Sequence, residues 1–212
     1  MTGPQVTQPV APGSSGGGGG GGGTPATIVQ AGAVGSSIQN GVVLGATPTP
    51  GNLLIAVVMN SGSANINGSG WTPIPGHVGA SGDAITWGWK IAGSSESKTQ
   101  TPTTDSNSGI VVVWEINNGT PGFLKTIVDV NSATQTIGYQ SFKAAQLILG
   151  AIDMENSGIT VSSHSGVDHI TQISSSRCGA FFDVSPATQS SGTASVTFSS
   201  GAFGSASSLV VG

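Results

Sequence analysis

Charged side chains are scarce in this sequence. Asp, Glu, Lys and Arg make up 7% of its 212 residues, whereas a typical soluble domain carries about 25%. The five basic residues stand singly along the chain, and the formal net charge is −4. Proteins that bind nucleic acid use clustered Lys and Arg to displace counterions from the phosphates. We therefore do not expect nucleic acid as a partner.

Cysteine pairs, long apolar runs and a secretory leader are missing as well. Cys178 is the single cysteine, which excludes an internal disulfide. Apolar runs such as Leu53–Met59 are far shorter than the roughly 20 residues that span a bilayer, so we expect no membrane insertion. The N-terminal stretch MTGPQVTQPVAPG has neither the basic nor the apolar region of a secretory signal. We expect folding in a reducing cytoplasm, yet the polar, weakly charged composition suits a protein that works outside the cell. Virion components, which assemble in the host and act after lysis, meet both conditions.

Motifs that would carry catalysis are also lacking. No Gly-x-Ser-x-Gly elbow precedes a helical pattern, so serine hydrolase chemistry has no support. Asp153 and Glu155 would point to the same side of an extended chain, as a glycoside hydrolase pair would require. Further acids offer oxygen ligands for calcium. Neither pattern has the expected spacing, and solvated loop acids are the favoured interpretation of these residues: Asp83, Asp105, Asp129, Asp153, Glu155 and Asp183.

Two of the three histidines lie close together, in the segment HSGVDHI, and His77 is far from them in sequence. This segment places His164, Asp168 and His169 within six residues, but zinc requires three or four ligands held on a frame. The interpretation that we favour is a surface loop, with a weak metal site or a pH-sensitive contact as the alternative. We predict no catalytic residue, no cofactor and no metal site.

What the sequence does contain is a β pattern. The segment AITWGWKIA alternates, with Ile85, Trp87 and Trp89 on one face, and no window of ten residues has a helical apolar stripe. The denser runs NLLIAVVMN, GIVVVWEIN and AAQLILGAID are typical of central strands in packed sheets. Turn clusters rich in Gly, Pro, Asn and Ser separate these runs. They include TPIPG and TPTPGN, in which Pro50-Gly51 suits a tight turn. The remaining strand candidates are Thr27–Val34, Lys125–Val130, Gly158–Ser163, Gly179–Val184, Thr193–Phe198 and Ser207–Val211.

About ten short strands predict an all-β domain over residues 26–212. The expected architecture is an antiparallel two-sheet β-sandwich of the jelly-roll type, and we see no internal repeat in the sequence. Trp87, Trp89 and Trp114 are predicted to lie in its core. Cys178 is expected to begin a buried strand as a small hydrophobe.

Two segments of different composition precede the predicted sandwich. Residues 1–12 contain three prolines, which favour an extended arm, and residues 13–25 form a Gly-rich linker that includes the eight glycines Gly16–Gly23. The linker is interpreted as a tether; the alternative is a segment threaded through a narrow groove that admits only glycine. The arm is predicted to dock on another virion protein through Pro4, Val6, Pro9 and Val10.

Several segments in a fixed order carry a resemblance. They are TPGNLLIAVV (Thr49–Val58), GWTPIPG (Gly70–Gly76) and ITWGWKIAGSSES (Ile85–Ser97), followed by GIVVVWEINN (Gly109–Asn118). This order resembles the jelly-roll domains of tailed-bacteriophage tail fibres, minor tail proteins and head decorations, which often follow glycine-rich linkers. The resemblance implies a non-enzymatic structural protein of the virion surface.

The resulting prediction is a virion protein that assembles in the bacterial cytoplasm. It would contact other virion proteins through residues 1–25, form homo-oligomers, and display the sandwich for adhesion to a host-surface glycan. The predicted glycan contacts are Trp71, Asn65 and Asn67, although Trp71 could instead cap the core. The alternatives are a carbohydrate-binding module or adhesin not tied to a virion, and a glycan-acting enzyme that uses Asp153 and Glu155.

Overall fold

The computed structural model describes most of the chain after residue 23. The described residues are 24–61, 66–68, 70–78, 83–102, 104, 108–120, 124–140, 146–174, 177–185, 191–201 and 203–212. The predicted arm (1–12), residues 13–23 of the linker, and Asn65 lie outside these ranges. The predicted docking residues Pro4, Val6, Pro9 and Val10 therefore lie outside them too.

The described chain is almost entirely β-strand. Its helical structure is one 3-10 turn, Ile38–Asn40, and no helix in the described ranges is long and apolar enough to cross a membrane. The strands are β1 Thr27–Ser37, β2 Val42–Val43, β3 Leu53–Ser61, β4 Thr72–Val78, β5 Asp83–Ile91, β6 Thr99–Gln100, β7 Ser108–Asn117, β8 Leu124–Asn131, β9 Thr134–Gln140, β10 Leu147–Met154, β11 Val161–Ser165, β12 His169–Ser174, β13 Cys178–Val184, β14 Ser191–Phe198 and β15 Phe203–Val211.

These strands form four sheets with antiparallel pairing throughout. Sheet I has the order β1-β7-β3-β5-β4, and sheet II has the order β12-β13-β10-β15-β8. Sheet III contains β11-β14-β9, and a two-stranded ribbon contains β2-β6. The prediction of an all-β antiparallel fold is confirmed.

Sheets I and II pack face to face around a central core. Sheet I contributes residues such as Ile55, Trp87 and Trp114, and sheet II contributes Leu149 and Phe181. The three predicted core tryptophans belong here, with Trp87 and Trp114 buried and Trp89 half-buried against the cluster. This pair of sheets is the predicted sandwich.

Both central sheets are also covered on their outer faces. Sheet III covers sheet II over a second core that contains Ile148, Phe182 and Val196. The ribbon and nearby loops cover sheet I over a third core that contains Val42, Leu54 and further residues. Two buried faces require apolar side chains at consecutive positions. This requirement explains the dense apolar runs of β3, β7 and β10. The described fold therefore has further layers outside the two predicted sheets.

The two halves of the chain have the same sheet topology. We read each sheet from the edge strand that comes first in the chain. The spatial order is then β1-β7-β3-β5-β4 in sheet I and β8-β15-β10-β13-β12 in sheet II. Each strand of sheet I therefore has a counterpart in sheet II at the same place in the order. The ribbon β2-β6 corresponds likewise to the pair β9-β14. The first half, Thr27–Asn117, and the second half, Leu124–Val211, are structural repeats.

The strand registers support the repeat. Leu53 pairs with Ile116, and its counterpart Leu147 pairs with Val211, so that the numbers of these two pairs of equivalent residues differ by 94 and 95. Thr72 pairs with Trp89 as His169 pairs with Asp183. No repeat is visible in the sequence because burial and pairing are preserved between the halves while residue identities are not.

The repeat also determines how the strands connect. Every ladder between the described strands joins two strands of the same half. A jelly roll instead alternates its consecutive strands between two sheets. The sandwich is present, and the jelly-roll part of the prediction is not confirmed.

Local predictions had mixed outcomes. Pro50-Gly51 forms the predicted turn, with Gly51 at a φ of 88° and the Asn52 amide donating to the Thr49 carbonyl at 3.1 Å. The cluster TPIPG was predicted as a turn and instead belongs to β4, whose place at the edge of sheet I tolerates proline. Strands β2, β6, β9 and β12 were not predicted. Cys178 begins β13 and is buried, as expected.

Candidate functional site

A cleft opens between β1 of sheet I and β12 of sheet II, at one edge of the central core. Its volume is about 610 Å³, which falls within the range of roughly 300–1,000 Å³ typical of small-ligand sites. We call it the edge cleft. Its lining includes Thr27, Ile28, Ala31, Ala33, Val112, Trp114, Leu147, His169, Thr171, Phe181, Asp183 and Ser185.

Small side chains on β1 leave this space open. Ala31 pairs with Trp114 and Ala33 with Val112, so both alanines share the inner face of sheet I with these core residues. Both alanines are exposed. A methyl group cannot reach across to β12, and the gap between the sheets therefore stays accessible from solvent.

Packed aromatic rings support the floor of the cleft. The Trp114 ring stacks on Trp87 with centroids 6.1 Å apart and planes 15° from parallel. Phe181 meets Trp114 edge-on at 6.3 Å. The Trp87 indole N–H donates to the Ser207 hydroxyl at 3.0 Å. This bond joins sheet I to sheet II through the ring on which Trp114 stacks.

The polar part of the cleft is a histidine–carboxylate pair. His169 Nδ1 lies 3.0 Å and 3.2 Å from the two carboxylate oxygens of Asp183. The Asp183 side chain is 10% exposed, whereas the His169 side chain is 80% exposed. Asp183 thus faces the interior of the cleft mouth, and His169 covers it from the solvent side.

The environment shifts the pKa of both groups upward. The hydrogen bond and the charge of Asp183 raise the pKa of His169. Burial raises the pKa of Asp183, and the interaction with His169 offsets only part of that effect. The nearby carboxylate of Asp168 raises both pKa values further, and it accepts a hydrogen bond from the Ser185 amide at 2.6 Å. The cleft mouth therefore holds one acid and one imidazole, and a second acid lies beside it.

The repeat shows what is unusual about Asp183. Asp183 pairs with Leu149 as its counterpart Trp89 pairs with Ile55. Trp89 packs its indole against the central core. In the second half a shorter, ionisable side chain occupies the equivalent position, which contributes to the opening of the cleft.

Trp71 and Asn67, the two predicted glycan contacts within the described residues, are not among the residues that line this cleft. Trp71 is 7% exposed and belongs to the third core, with Lys90 Nζ 5.0 Å from its ring centroid. This placement matches the core alternative for Trp71. Asn67 is exposed.

Two acids predicted to be solvated loop residues are instead buried in strands. Asp153 lies in β10 and accepts a hydrogen bond from the Arg177 guanidinium, while Asp183 lies in β13. Glu155 follows β10 and is exposed. Asp153 and Glu155 therefore lie in different environments rather than converging in a groove. Low-dielectric sites hold charges only when these are paired, and neither pairing is visible in the local sequence.

The histidine cluster was predicted as a loop, and this was wrong. His164 lies in β11 and His169 begins β12. Among the described residues, no group of three His, Cys, Asp or Glu side chains is arranged to hold a metal. The functional partner of His169 is Asp183, fourteen residues away. The available signal was an acid on the same strand face as Phe181 in the apolar run CGAFFDV.

Comparison of the chain with family models, curated proteins and solved structures finds no match. The functional argument therefore rests on the geometry and on the sequence features described above.

Proposed function

We propose that this protein is a non-enzymatic structural protein on the surface of a tailed-phage virion, as a tail fibre, minor tail protein or head decoration. It docks by its N-terminal arm and displays the β-sandwich. One observation carries the proposal. The protein has few charged side chains, and several of those in the described body form hydrogen bonds that connect loops and strands to the sheets.

Glu115 is the clearest of these ties. Its carboxylate is fully buried and accepts hydrogen bonds from the Thr49 amide at 2.8 Å, from Asn52 Nδ2 at 2.6 Å and from Gln30. One charge thereby joins β1, β7 and the turn that precedes β3. In the second half, Arg177 and Asp153 connect the start of β13 to β10. A body built in this way suits bracing and display.

The outer face of sheet III suits work in an external medium. Its exposed positions carry hydroxyl side chains that pair across strands, Thr134 with Thr197 at 3.1 Å and Thr136 with Ser195 at 2.9 Å. In these pairs the exposed hydroxyl groups hydrogen-bond to each other, so that the surface is polar without being charged. A hydroxyl-coated sheet of this kind agrees with the low charge of the whole sequence.

The attachment part of the proposal rests on residues 1–25. The proline-containing arm contacts another virion protein through Pro4, Val6, Pro9 and Val10, and the glycine run spans the gap to the body. The protein forms homo-oligomers on the particle, and the exposed body contacts a host-surface glycan. Assignment to the jelly-roll class rests on the resemblance alone, and the structural role does not depend on it.

Particle incorporation tests this proposal. We expect residues 24–212 to fold with the same urea midpoint as the full chain but to be missing from purified particles. Val6→Asp with Val10→Asp should also reduce incorporation, because buried charge disfavours apolar docking. Gln5→Asp with Gln8→Asp adds the same charge beside these positions and serves as the control. Unchanged incorporation without residues 1–23 would remove the docking role.

The edge cleft favours one second candidate, a carbohydrate-binding module or adhesin not tied to a virion. A pocket with an aromatic floor and a polar rim can hold one ring-sized unit of a larger ligand. Titration with host polysaccharides would quench tryptophan fluorescence if a glycan reached the cleft. If no host glycan changes the fluorescence, this candidate fails.

A further inference from the structure

We propose that the edge cleft binds a primary amine carried on a ring-sized body, with the carboxylate of Asp183 receiving the ammonium group. This inference is independent of the virion assignment, since it depends on the cleft alone.

The first support is the chemistry of the lining. An aromatic and aliphatic floor, formed by Trp114, Phe181 and Val112, lies beneath a mouth that holds Asp183. The carboxylate of Asp168 lies beside this mouth, where it accepts a hydrogen bond from the amide of the lining residue Ser185. The described lining contains neither lysine nor arginine. Apolar contact with a ring combined with an acidic mouth is complementary to a cation that has an apolar face.

The second support is the comparison between the two halves. The position that Trp89 fills in the first half holds a largely buried carboxylate in the second. Burying a carboxylate costs free energy unless it is paired, and apolar packing at this position is compatible with the fold, as Trp89 demonstrates. An acid that lies in a cleft and has a shifted pKa is a common feature of functional sites.

The third support is that the present partner of Asp183 can leave. His169 is 80% exposed, so its imidazole can rotate into solvent with little loss of packing. A ligand ammonium group would then take its place as the counter-ion. His169 thus competes with the amine for the carboxylate of Asp183. Substitutions of His169 and of Asp183 should therefore have opposite effects on amine binding.

Binding of matched probes to the full-length protein tests the proposal. Benzylamine is compared with benzyl alcohol, and glucosamine with glucose, by calorimetry at neutral pH. We expect at least one amine to bind about tenfold more tightly than its neutral partner, the ratio that corresponds to about 1.4 kcal/mol. The pair that shows this preference identifies the body as aromatic or sugar.

Three variants separate the roles. Asp183→Asn should weaken amine binding about tenfold and leave the neutral probe unchanged, while His169→Gln should tighten amine binding. Glu155→Gln makes the same charge change at an exposed site outside the cleft and should have no effect. Equal affinity for amine and alcohol, no binding of either amine, or no change in Asp183→Asn would overturn the proposal.

A fourth variant covers the case in which Asp183→Asn does not fold. Ala33→Phe fills the cleft from an exposed position on β1 and should abolish binding of both members of a probe pair. Retention of amine affinity in Ala33→Phe would place the binding elsewhere and sink the proposal.

Discussion

At the scale of single residues, the protein uses few charges but places several where they are buried. Glu115 shows the effect most clearly. Burial raises its pKa, but hydrogen bonds from Gln30, Thr49 and Asn52 outweigh burial, and the net pKa is lowered. The ionised form is therefore the one that the folded protein stabilises.

Glu115→Gln tests this tie. In the variant, an amide N–H group would face N–H donors whose hydrogen bonds the carboxylate accepts in the wild-type protein. Because these donors would lose an acceptor, we expect a loss of about 2–3 kcal/mol in the free energy of unfolding. Urea denaturation at neutral pH measures this loss. Glu155→Gln, at an exposed position, should change the free energy by less than about 0.5 kcal/mol. A loss in Glu115→Gln no larger than in this control would contradict the assigned role.

The same group predicts a pH dependence. Because the folded-state pKa of Glu115 lies below its ordinary value of 4.5, its contribution to stability is complete above that value. The contribution is lost as the pH falls through the folded-state pKa. Comparing the pH profiles of unfolding for the wild-type protein and Glu115→Gln should show their stabilities converging in acid. Parallel profiles would argue against an ionised Glu115.

At the scale of elements, the two halves fill equivalent space with different residues. Ala56 pairs with Gly88 in the first half, and Gly150 pairs with Phe182 at the equivalent place in the second. Ile66 covers Gly88, coming within 3.1 Å of where its Cβ would be, whereas the Phe182 ring lies over Gly150. Each side chain supplies volume on the outer face of its sheet. The two sheets can keep the same topology because the space left by each glycine is filled by a neighbouring side chain.

Gly150→Ala should therefore be destabilising. An added Cβ would overlap the Phe182 ring, and forcing a buried ring to move costs about 1–3 kcal/mol. Gly138→Ala is the matched control, because no heavy atom of the described residues other than its chain neighbours lies within 4 Å of its Cβ position. Thermal unfolding of the two variants measures the difference. If Gly150→Ala unfolds at the temperature of Gly138→Ala, the second core is less tightly packed than described.

At the scale of the whole molecule, the sandwich is two repeats packed face to face. Each half contributes one five-stranded sheet to the central core, and each has its own outer layer. The described ladders do not cross between the halves. The halves therefore associate through side-chain packing, in the manner of two subunits of a dimer.

Division of the chain between Thr120 and Pro121 tests this organisation. We expect residues 1–120 and 121–212 to associate when co-expressed, since the apolar faces of sheets I and II need each other. Co-purification and size-exclusion chromatography measure the association. Either fragment expressed alone should aggregate or self-associate through its uncovered face. Two stable monomeric fragments would contradict a core shared between the halves.

The sequence alone determined the strand class, the turn at Pro50-Gly51, the burial of Cys178 and the core positions of Trp87 and Trp114. These features depend on local alternation and backbone preference, which act over a few residues. Tertiary structure decided the repeat, the edge position of the proline-containing β4 and the pairing of His169 with Asp183. The reason is physical: a strand specifies which faces it buries, but its partners are chosen by packing between segments distant in the chain. The edge cleft exists only because of that choice.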